Sequence, residues 1–405
     1  MADAHSADER RQDTRPRLVV AGIGGAGCNA VNRMIDAGLS GVDMIAMNTD
    51  RDALSLCQSP LRLPLGPETT EGLGAGGDPK VGCRAAEESR NEIRRSLQGA
   101  QMVFLAAGMG GGTGTGAMPV VADIAASLGI LTVAVVTKPF TFEGPRRKRN
   151  AEAGIDELKG RADTVIVVAN DRLLDGCGAG SMPLIDAFRI ADDVLRQGVQ
   201  GISDIITVPG SVNVDFADVK ATLSQAGTAM MGIGEAEGEG RAITAARRAA
   251  HSPLLDTSIN GALRVLINMT SGPDLKLAEF NEAASMIQDL CDPKESRFIF
   301  GWVLDPAMEG KVRVTVLATG FAQPDQRPVT PIASQELRPQ PQQVPVRPVA
   351  MAESSPISEP ADTSDGREQV PVTVQSLLTA GSEAGEPDYI IDEHDLDTPA
   401  LYRRR

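Results

Sequence analysis

The sequence has few aromatic residues and no long apolar run. Only 3% of its 405 residues are Phe, Trp or Tyr, so Val, Ile, Leu and Ala must fill any core. No apolar run reaches the ~18 residues of a membrane-spanning helix, which excludes a transmembrane protein of that type. The net charge of −15 at pH 7 excludes general nucleic-acid binding, because such binding needs a basic surface.

Cysteines are few and show no pairing pattern. The chain has five, Cys28, Cys57, Cys83, Cys177 and Cys291, and none belongs to a Cys-x-x-Cys motif. An odd number of scattered cysteines predicts free thiols in a reducing compartment and no zinc site. The first sixteen residues are charged and lack the apolar segment of a secretory signal. We therefore expect a cytoplasmic protein.

Between two polar ends, apolar runs alternate with helical patterns. We predict strands at 17–22, 44–47, 102–107, 131–137 and 164–168, helices at 28–37, 83–97, 117–127 and 146–158, and a long surface loop at 59–82. Such alternation is typical of a parallel sheet with helices on both faces. Apolar residues at helical spacing then predict one long helix from about Pro183 to Ile205. Shorter strands and helices follow, the first predicted strand at 229–232, which indicates a smaller α+β domain.

Composition also sets the domain boundaries that we predict. Residues 322–387 contain eleven prolines among polar residues and cannot bury a core, so they are predicted to be a disordered linker. The predicted divisions are a disordered extension at 1–16, a first α/β domain at 17–182, a central helix at 183–206, a loop and helix at 207–227, an α+β domain at 228–321, the linker at 322–387 and a C-terminal peptide at 388–405.

Two glycine-rich segments follow predicted strands. One runs from Gly108 to Gly116 and has six glycines in nine residues; the other runs from Gly22 to Gly27. A strand, a glycine-rich turn and a helix N-terminus together bind phosphate, because free N–H groups and the positive end of the helix dipole face one point. We therefore predict a phosphate site in which both segments take part.

The choice of nucleotide is open to an alternative at this point. Gly22-x-Gly24-x-x-Gly27 matches the dinucleotide fingerprint, and Asp43 follows about twenty residues on, which would suit an NAD-dependent oxidoreductase. That reading leaves the second, richer segment unexplained, whereas two converging segments suit a triphosphate. The Gly-x4-Gly-Lys-Ser/Thr motif of P-loop proteins is absent.

At these residues the sequence resembles the tubulin/FtsZ family of GTPases. The resemblance covers about residues 16–320 and resumes at the extreme C-terminus. The motifs that carry it are Gly110-Gly111-Gly112-Thr113-Gly114-Thr115-Gly116, Asn48-Thr49-Asp50, Thr137-Lys138-Pro139-Phe140-x-Phe142-Glu143-Gly144 and Asn213-Val214-Asp215-Phe216-Ala217-Asp218-Val219. It implies a parallel-sheet GTP-binding domain joined by a long central helix to the smaller domain.

The resemblance implies a role for particular residues. Those implied to bind GTP or GDP are Gly25, Ala26, Gly27, Cys28, Asn29, Gly112, Thr113 and Gly114 at the phosphates, with Asn29 also near the base; Glu143 and Arg147 at the ribose or the sugar–phosphate junction; Asn170, Phe188 and Asp193 at the guanine, with Asp192 nearby; and, in the same two segments, Gly24, Gly110, Gly111, Thr115 and Gly116. The alternatives without a role in nucleotide binding are a surface ion pair for Glu143 and Arg147, a core position for Phe188, and a solvated helix face for Asp193. Cys28 stands where the family usually has Gly, and Asp192-Asp193 replaces a more usual Asn-Asp pair.

Asp215 and Asp218 are the catalytic residues that the resemblance implies. In the family this loop enters the nucleotide site of the next subunit, so hydrolysis, assisted by Mg²⁺, would require head-to-tail polymerisation. The implied function is a self-assembling GTPase that forms the division ring beneath the inner membrane. A filament protein that binds GTP without hydrolysing it is a further alternative.

The last residues resemble the family's C-terminal peptide. Asp395–Arg405 places apolar residues around a proline before three arginines. The resemblance implies that this peptide binds membrane-tethering and regulatory division proteins, without direct insertion into the membrane. The basic run from Arg146 to Arg149 is interpreted as a solvated helix start rather than a nucleic-acid site.

Overall fold

The fold is given by a computed structural model of the chain. It describes residues 16–175, 183–208, 214–255, 259–291 and 296–321. The predicted N-terminal extension up to residue 15, the linker and the C-terminal peptide lie outside the described residues. Among the described helices, none combines the length and the apolar composition needed to cross a membrane.

The described residues form ten strands and twelve α-helices, named here in chain order. The strands are β1 (Leu18–Ile23), β2 (Val42–Asn48), β3 (Leu61–Pro64), β4 (Met102–Gly108), β5 (Leu131–Lys138), β6 (Thr164–Ala169), β7 (Gly227–Glu237), β8 (Arg264–Ser271), β9 (Arg297–Leu304) and β10 (Lys311–Thr319). The helices are α1 (Gly24–Asp36), α2 (Arg51–Ser55), α3 (Pro67–Thr70), α4 (Pro79–Glu88), α5 (Arg90–Leu97), α6 (Thr113–Ser127), α7 (Pro145–Leu158), α8 (Asn170–Asp175), α9 (Leu184–Thr207), α10 (Phe216–Leu223), α11 (Arg241–Ala250) and α12 (Leu277–Gln288).

All ten strands belong to one sheet in the order β3-β2-β1-β4-β5-β6-β7-β10-β8-β9. The strands from β3 to β6 are parallel, as the β/α alternation predicted. Strand β7 joins the two parts of the sheet. Its first residues pair in parallel with β6, and its remaining residues pair antiparallel with β10. The sequence is thus a mixed α/β chain with a large parallel part and a second, C-terminal part.

The parallel strands are buried on both faces. In β1, Leu18 and Val20 belong to the core beneath α1 and α9, whereas Val19, Ala21 and Ile23 belong to the core beneath α4 to α7. A strand covered on both sides reads as a continuous apolar run, which is why the sequence located it correctly. Helix α9 packs its apolar stripe on residues of both parts of the sheet, so one core continues through them.

Residues 59–82, predicted to be a loop, contain β3, α3 and the first residues of α4. The prediction was wrong because it rested on the glycines and prolines of the segment, whereas β3 is a four-residue edge strand whose residues are mostly exposed. The start of α4 did have a signal. Asp78 accepts a hydrogen bond from Lys80 N at 2.9 Å as its N-cap, and Pro79 occupies the first turn.

The predicted helix at 83–97 is two helices. Helix α4 ends at Glu88, and α5 begins after Ser89, whose backbone departs from helical geometry. The Ser89 hydroxyl accepts a hydrogen bond from Gly66 N at 2.9 Å. The break therefore coincides with a tie to the chain that precedes α3.

Candidate nucleotide-binding site

A cavity of about 280 Å³ lies at the carboxyl ends of the central parallel strands. It receives Ile23 from β1, Gly108 from β4 and Thr137 from β5, and it is closed on one side by residues of α9. This is the edge at which open parallel sheets bind ligands. Strands β1 and β4 are hydrogen-bonded neighbours, so the two glycine-rich segments meet here, as the sequence predicted.

The glycines of these segments have two different structural roles: some leave open space in the cavity, and others allow close backbone packing. A Cβ atom added at Gly25 or at Gly111 would meet no atom within 4 Å, so both residues leave open space in the cavity. At Gly27 a Cβ would lie 2.4 Å from Ala106 O, and at Gly116 only 1.9 Å from Pro79 O. Those positions must be glycine so that helices can pack against neighbouring backbone.

The structure corrects the predicted starts of the two helices that follow the glycine-rich segments. Helices α1 and α6 begin at Gly24 and Thr113, within the glycine-rich segments rather than after them. Glycine usually disfavours helix by about 1 kcal/mol relative to Ala. Here close packing outweighs that preference, and the first turns of both helices line the cavity with backbone N–H groups.

Hydroxyl groups hold the second segment in place. Thr113 Oγ1 lies 2.6 Å from Thr49 Oγ1, which follows β2. Thr115 Oγ1 accepts a hydrogen bond from Gly110 N at 2.8 Å. Gly110 has a φ of 104°, and the Thr115 bond fixes this left-handed turn.

Glu143 and Arg147 form an ion pair that lines the cavity. Glu143 also accepts a hydrogen bond from Phe140 N at 2.9 Å, and its side chain is only 10% exposed. Arg147 is more exposed than its partner. The pair thus has one largely buried and one exposed partner, and it stands at the edge of a ligand-sized space.

Phe188 lies at the mouth of the cavity and is 39% exposed. Its ring makes edge contacts with Phe140 and Phe142, at centroid distances of 5.5 and 6.1 Å. The two partner rings stack on each other. A half-exposed aromatic cluster beside a polar cavity suits stacking on a flat heterocycle.

Of the two adjacent acids, Asp192 faces the cavity and Asp193 does not. Burial raises the pKa of Asp192 to about 6, against the opposing effect of Arg33, whose Nε lies 3.6 Å from Asp192 Oδ2. Asp193 accepts hydrogen bonds from Arg196 Nε and Gln197 Nε2, both at 2.5 Å. Burial raises its pKa, but these hydrogen bonds outweigh burial and the pKa of Asp193 is lowered.

Two buried polar atoms, one of them in a residue that lines the cavity, lack hydrogen-bond partners. Asn170 is 6% exposed, and its Oδ1 has no partner although the residue lines the cavity. Arg33 Nε is also buried without a hydrogen bond. A buried acceptor without a donor is costly, so an N–H group of a ligand at Asn170 would be favourable.

The cavity brings together twelve of the residues that the resemblance singled out. They are Gly24, Gly25, Ala26, Gly111, Gly112, Thr113, Gly114, Glu143, Arg147, Asn170, Phe188 and Asp192. Those that do not line it are Gly27, Cys28, Asn29, Gly110, Thr115, Gly116, Asp193, Asp215 and Asp218. Asn29 is exposed, and its side chain opposes the rise in the pKa of Asp192. The Cys28 side chain is buried, with its Sγ 3.9 Å from Met47 O.

Asp215 and Asp218 lie beyond the opposite end of α9. Asp215 occupies the N-cap position of α10 and is exposed. Asp218 Oδ1 lies 3.0 Å from an Arg297 nitrogen, and its side chain is 48% exposed. From Asp192 to the last residue of α9 the chain advances about 22 Å at 1.5 Å per residue. The subunit's own acidic pair is therefore remote from its own cavity.

The structure argues against the dinucleotide interpretation. Asp43 pairs in register with Val19, near the amino end of β2, and forms an exposed ion pair with Arg17. A ribose-binding acid must stand at the carboxyl end of that strand, beside the cavity. Asn48 and Thr49 occupy that end instead.

Sequence reasoning missed two contributors. Arg33 was not singled out, although it follows Asn29 by four residues and so shares its face of α1. Thr137 was quoted only as part of a motif, yet it lines the cavity and its carbonyl accepts a hydrogen bond from Met109 N at 2.9 Å. Its position at the end of a predicted parallel strand was the available signal.

Comparison with known proteins agrees with this arrangement. Residues 17–178 match the model of the tubulin/FtsZ family GTPase domain, and residues 227–322 match the model of the FtsZ family C-terminal domain. An FtsZ dimer from M. jannaschii, in an empty state, is 42% identical with a TM-score of 0.74, over 79% of this chain and 92% of that chain. A point mutant of FtsZ from M. jannaschii is 43% identical with the same TM-score, over 78% of this chain and 95% of that chain.

A more distant structure shares the fold. CetZ2 from Haloferax volcanii, solved as a GTPγS-bound protofilament, is 24% identical with a TM-score of 0.63, over 77% of this chain and 95% of that chain. The fold and the cavity thus define a tubulin-like nucleotide-binding protein. The chain belongs to the FtsZ family and carries its GTPase domain.

Proposed function

We propose that this chain binds GTP in the cavity, polymerises head to tail and hydrolyses GTP at the subunit interface. The observation that carries the proposal is the cavity itself, in which two glycine segments face acceptors on Asp192 and Asn170. Guanine presents N–H donors at N1 and N2, and a carboxylate and an amide oxygen are suitable acceptors for them. In this proposal Asp192, rather than Asp193, recognises the base.

The remaining roles follow from the sides of the cavity. Backbone N–H groups of Gly25, Ala26 and Gly112 to Gly114 would bind the phosphates, since they belong to the first turns of α1 and α6. Arg147, oriented by Glu143, would contact the sugar–phosphate junction, and Phe188 would stack on the base.

Whether the site suits Mg²⁺ depends on which oxygen ligands are available to the ion. Among the described residues, no group of three His, Cys, Asp or Glu side chains could hold a metal ion. A Mg²⁺ ion prefers oxygen ligands and keeps several waters, so it would be bound mainly through the phosphates of GTP. There it would neutralise charge on the transferred phosphoryl group.

Hydrolysis would need a second subunit. Asp215 and Asp218 lie too far from the cavity of their own chain to act on its nucleotide, although a carboxylate can orient an attacking water. A head-to-tail contact would bring them to the neighbour's cavity, and such a heterologous contact propagates as a filament. The FtsZ relative solved as a dimer supports self-association of the present chain.

The cellular role that we propose is assembly of the division ring. Filaments would lie at the division site beneath the inner membrane, attached by division proteins that bind Asp395–Arg405, a segment outside the described residues. The FtsZ family assignment supports this role. A pull-down that compares the full chain with one lacking Asp395–Arg405 tests the attachment; equal recovery of partners by both would contradict it.

One experiment distinguishes the proposed function from its alternatives. The protein is pelleted with GTP, GDP or NAD while released phosphate is measured. GTP-dependent pelleting with phosphate release supports the proposal. Pelleting without release would favour a filament protein that binds GTP without hydrolysing it, and indifference to GTP would contradict GTP-dependent assembly.

A further inference from the structure

Two buried cysteines are neighbours behind the glycine-rich segment Gly22–Gly27. Cys28, on α1, and Cys57, just after α2, are 3% and 4% exposed. Cys57 Sγ lies 3.7 Å from Cys28 O and 3.1 Å from Asn32 Oδ1. Asn32 Oδ1 also accepts a hydrogen bond from Gln58 N at 2.7 Å. The segment around Cys57 is therefore fastened to α1.

The position of this pair links it to the cavity. Cys28 follows the turn that begins at Gly24, and Gly25 and Ala26 in that turn line the cavity. Cys28 Sγ also lies 3.9 Å from the carbonyl of Met47, which pairs with Ile23 at the end of β1. A displacement of Cys28 would thus be transmitted to the backbone N–H groups proposed to bind phosphate.

The surroundings make Cys57 the more reactive of the two. The neighbouring Cys28 thiol lowers the pKa of the Cys57 thiol, whereas the Cys57 thiol and burial raise the pKa of Cys28. Thiolates, not thiols, are the nucleophiles in oxidation. Cys57 is buried but lies between the exposed residues Leu56 and Gln58, so a local opening of this short segment would admit a small oxidant.

We propose that Cys28 and Cys57 form a reversible disulfide when the protein meets a hydroperoxide, and that this bond weakens nucleotide binding. The effect on binding rests on the proposed GTP site. Formation of the bond itself does not depend on which nucleotide is bound.

The chemistry balances with hydrogen peroxide as the oxidant. The Cys57 thiolate attacks one peroxide oxygen, the O–O bond breaks, and the leaving hydroxide takes a proton to give water and a Cys57 sulfenic acid. The Cys28 sulfur then attacks the sulfenic sulfur, the S–O bond breaks, and the departing hydroxide takes the Cys28 proton as a second water. Two thiols are oxidised by two electrons and one peroxide is reduced.

The bond would shorten the contact between the two elements. An S–S bond of about 2.05 Å is much shorter than any contact between non-bonded sulfurs, so Cys28 and Cys57 must move towards each other. Since Asn32 already holds the Cys57 segment on α1, the strain falls partly on the first turn of α1. Displaced N–H groups then fit the phosphates less well.

The test uses a variant in which Cys83, Cys177 and Cys291 are replaced by Ser. It is treated with hydrogen peroxide, digested, and mapped by mass spectrometry for a peptide pair that links positions 28 and 57. GTP affinity is measured before treatment, after treatment and after dithiothreitol. We expect the linked peptides, an affinity at least about tenfold weaker, and recovery on reduction. Mapping of the unaltered chain repeats the first readout in case the variant does not fold.

The matched control is Cys57→Ser in the same background. It should bind GTP as the reduced parent does and should not respond to peroxide. Absence of the 28–57 link, or a link that leaves GTP affinity unchanged, would overturn the inference. A reduced parent that does not bind GTP would instead overturn the proposed function, and with it the effect on binding.

Discussion

The two ends of α9 hold their acidic side chains in opposite ways. In the amino-terminal half, the Asp192 side chain lines the cavity and is only 14% exposed, and burial raises its pKa to about 6. Beyond the carboxyl end, Asp218 is half exposed and pairs with Arg297, and Asp215 is exposed. Asp192 has lost water without gaining full compensation, so a ligand that donates hydrogen bonds offsets its cost. The exposed pair bears little such cost, and its chemistry depends on what docks there.

Replacement of Asp218 is expected to have the largest effect. Asp218→Ala should lower the rate of phosphate release by about 10²–10⁴-fold, because a positioned acid or base typically contributes that much. GTP binding should change little, since the residue is remote from its own cavity. Phosphate release and GTP affinity are measured on the same preparation; normal turnover would remove Asp218 from the mechanism.

Mixing variants sharpens the comparison between the two ends. Asp218→Ala offers an intact cavity, and Asp192→Ala offers an intact acidic pair. If the site is shared between subunits, the mixture should release phosphate faster than either variant alone. No recovery, in a mixture shown by sedimentation to co-assemble, would count against the shared site.

The sequence predicted the parallel part of the fold well. Strands such as β4 and β5 are buried on both faces, and their continuous apolar runs indicate buried parallel strands. It predicted β7 poorly, giving only 229–232 of an eleven-residue strand. Gly232 and Gly234 interrupt the pattern there, because a Cβ at either would lie within about 2.1 Å of a carbonyl oxygen of α11. Such close packing is a tertiary demand that local patterns do not carry.

The site was predicted in outline but not in every detail. The glycine segments and the Glu143–Arg147 pair were located from their motifs, and they meet at one cavity. The choice between Asp192 and Asp193 was not available from the sequence. Adjacent helical residues point about 100° apart, so only the orientation of α9 against α1 decides which acid faces the cavity.

A smaller effect is expected on GTP affinity, and it should differ between the adjacent acids Asp192 and Asp193. Asp192→Ala should weaken GTP binding by about 10–100-fold, because hydrogen bonds to a charged group contribute about 1.5–3 kcal/mol. Asp193→Ala should weaken it far less, since Asp193 is already bonded to Arg196 and Gln197. Titration of a fluorescent GTP analogue measures both. Equal losses would contradict the assignment of Asp192 to the base.

The smallest expected effect is a dependence of GTP binding on pH. Only the ionised carboxylate of Asp192 accepts hydrogen bonds at both oxygens, and its pKa of about 6 lies within an accessible range. GTP affinity should therefore be constant above about pH 7 and fall about tenfold or less between pH 7 and pH 5. Asp192→Asn is the matched control, because its weaker binding should not vary over that range.

The free energy of unfolding of the nucleotide-free protein should rise as the pH is lowered from 7 to 5, whereas GTP affinity should fall. Burial raises the pKa of Asp192 in the folded chain above its unfolded value, so its contribution to stability is fully present below the unfolded pKa and is lost as the pH rises through about 6. Asp204, whose pKa burial also raises to about 6, adds a similar dependence. The difference between the parent and Asp192→Asn, measured by denaturant unfolding at pH 5 and pH 7, isolates Asp192.

If acidification weakened GTP binding equally in the parent and in Asp192→Asn, the pH dependence of binding would belong to another group. The contrast between the two ends of α9 would then rest on Asp218 alone.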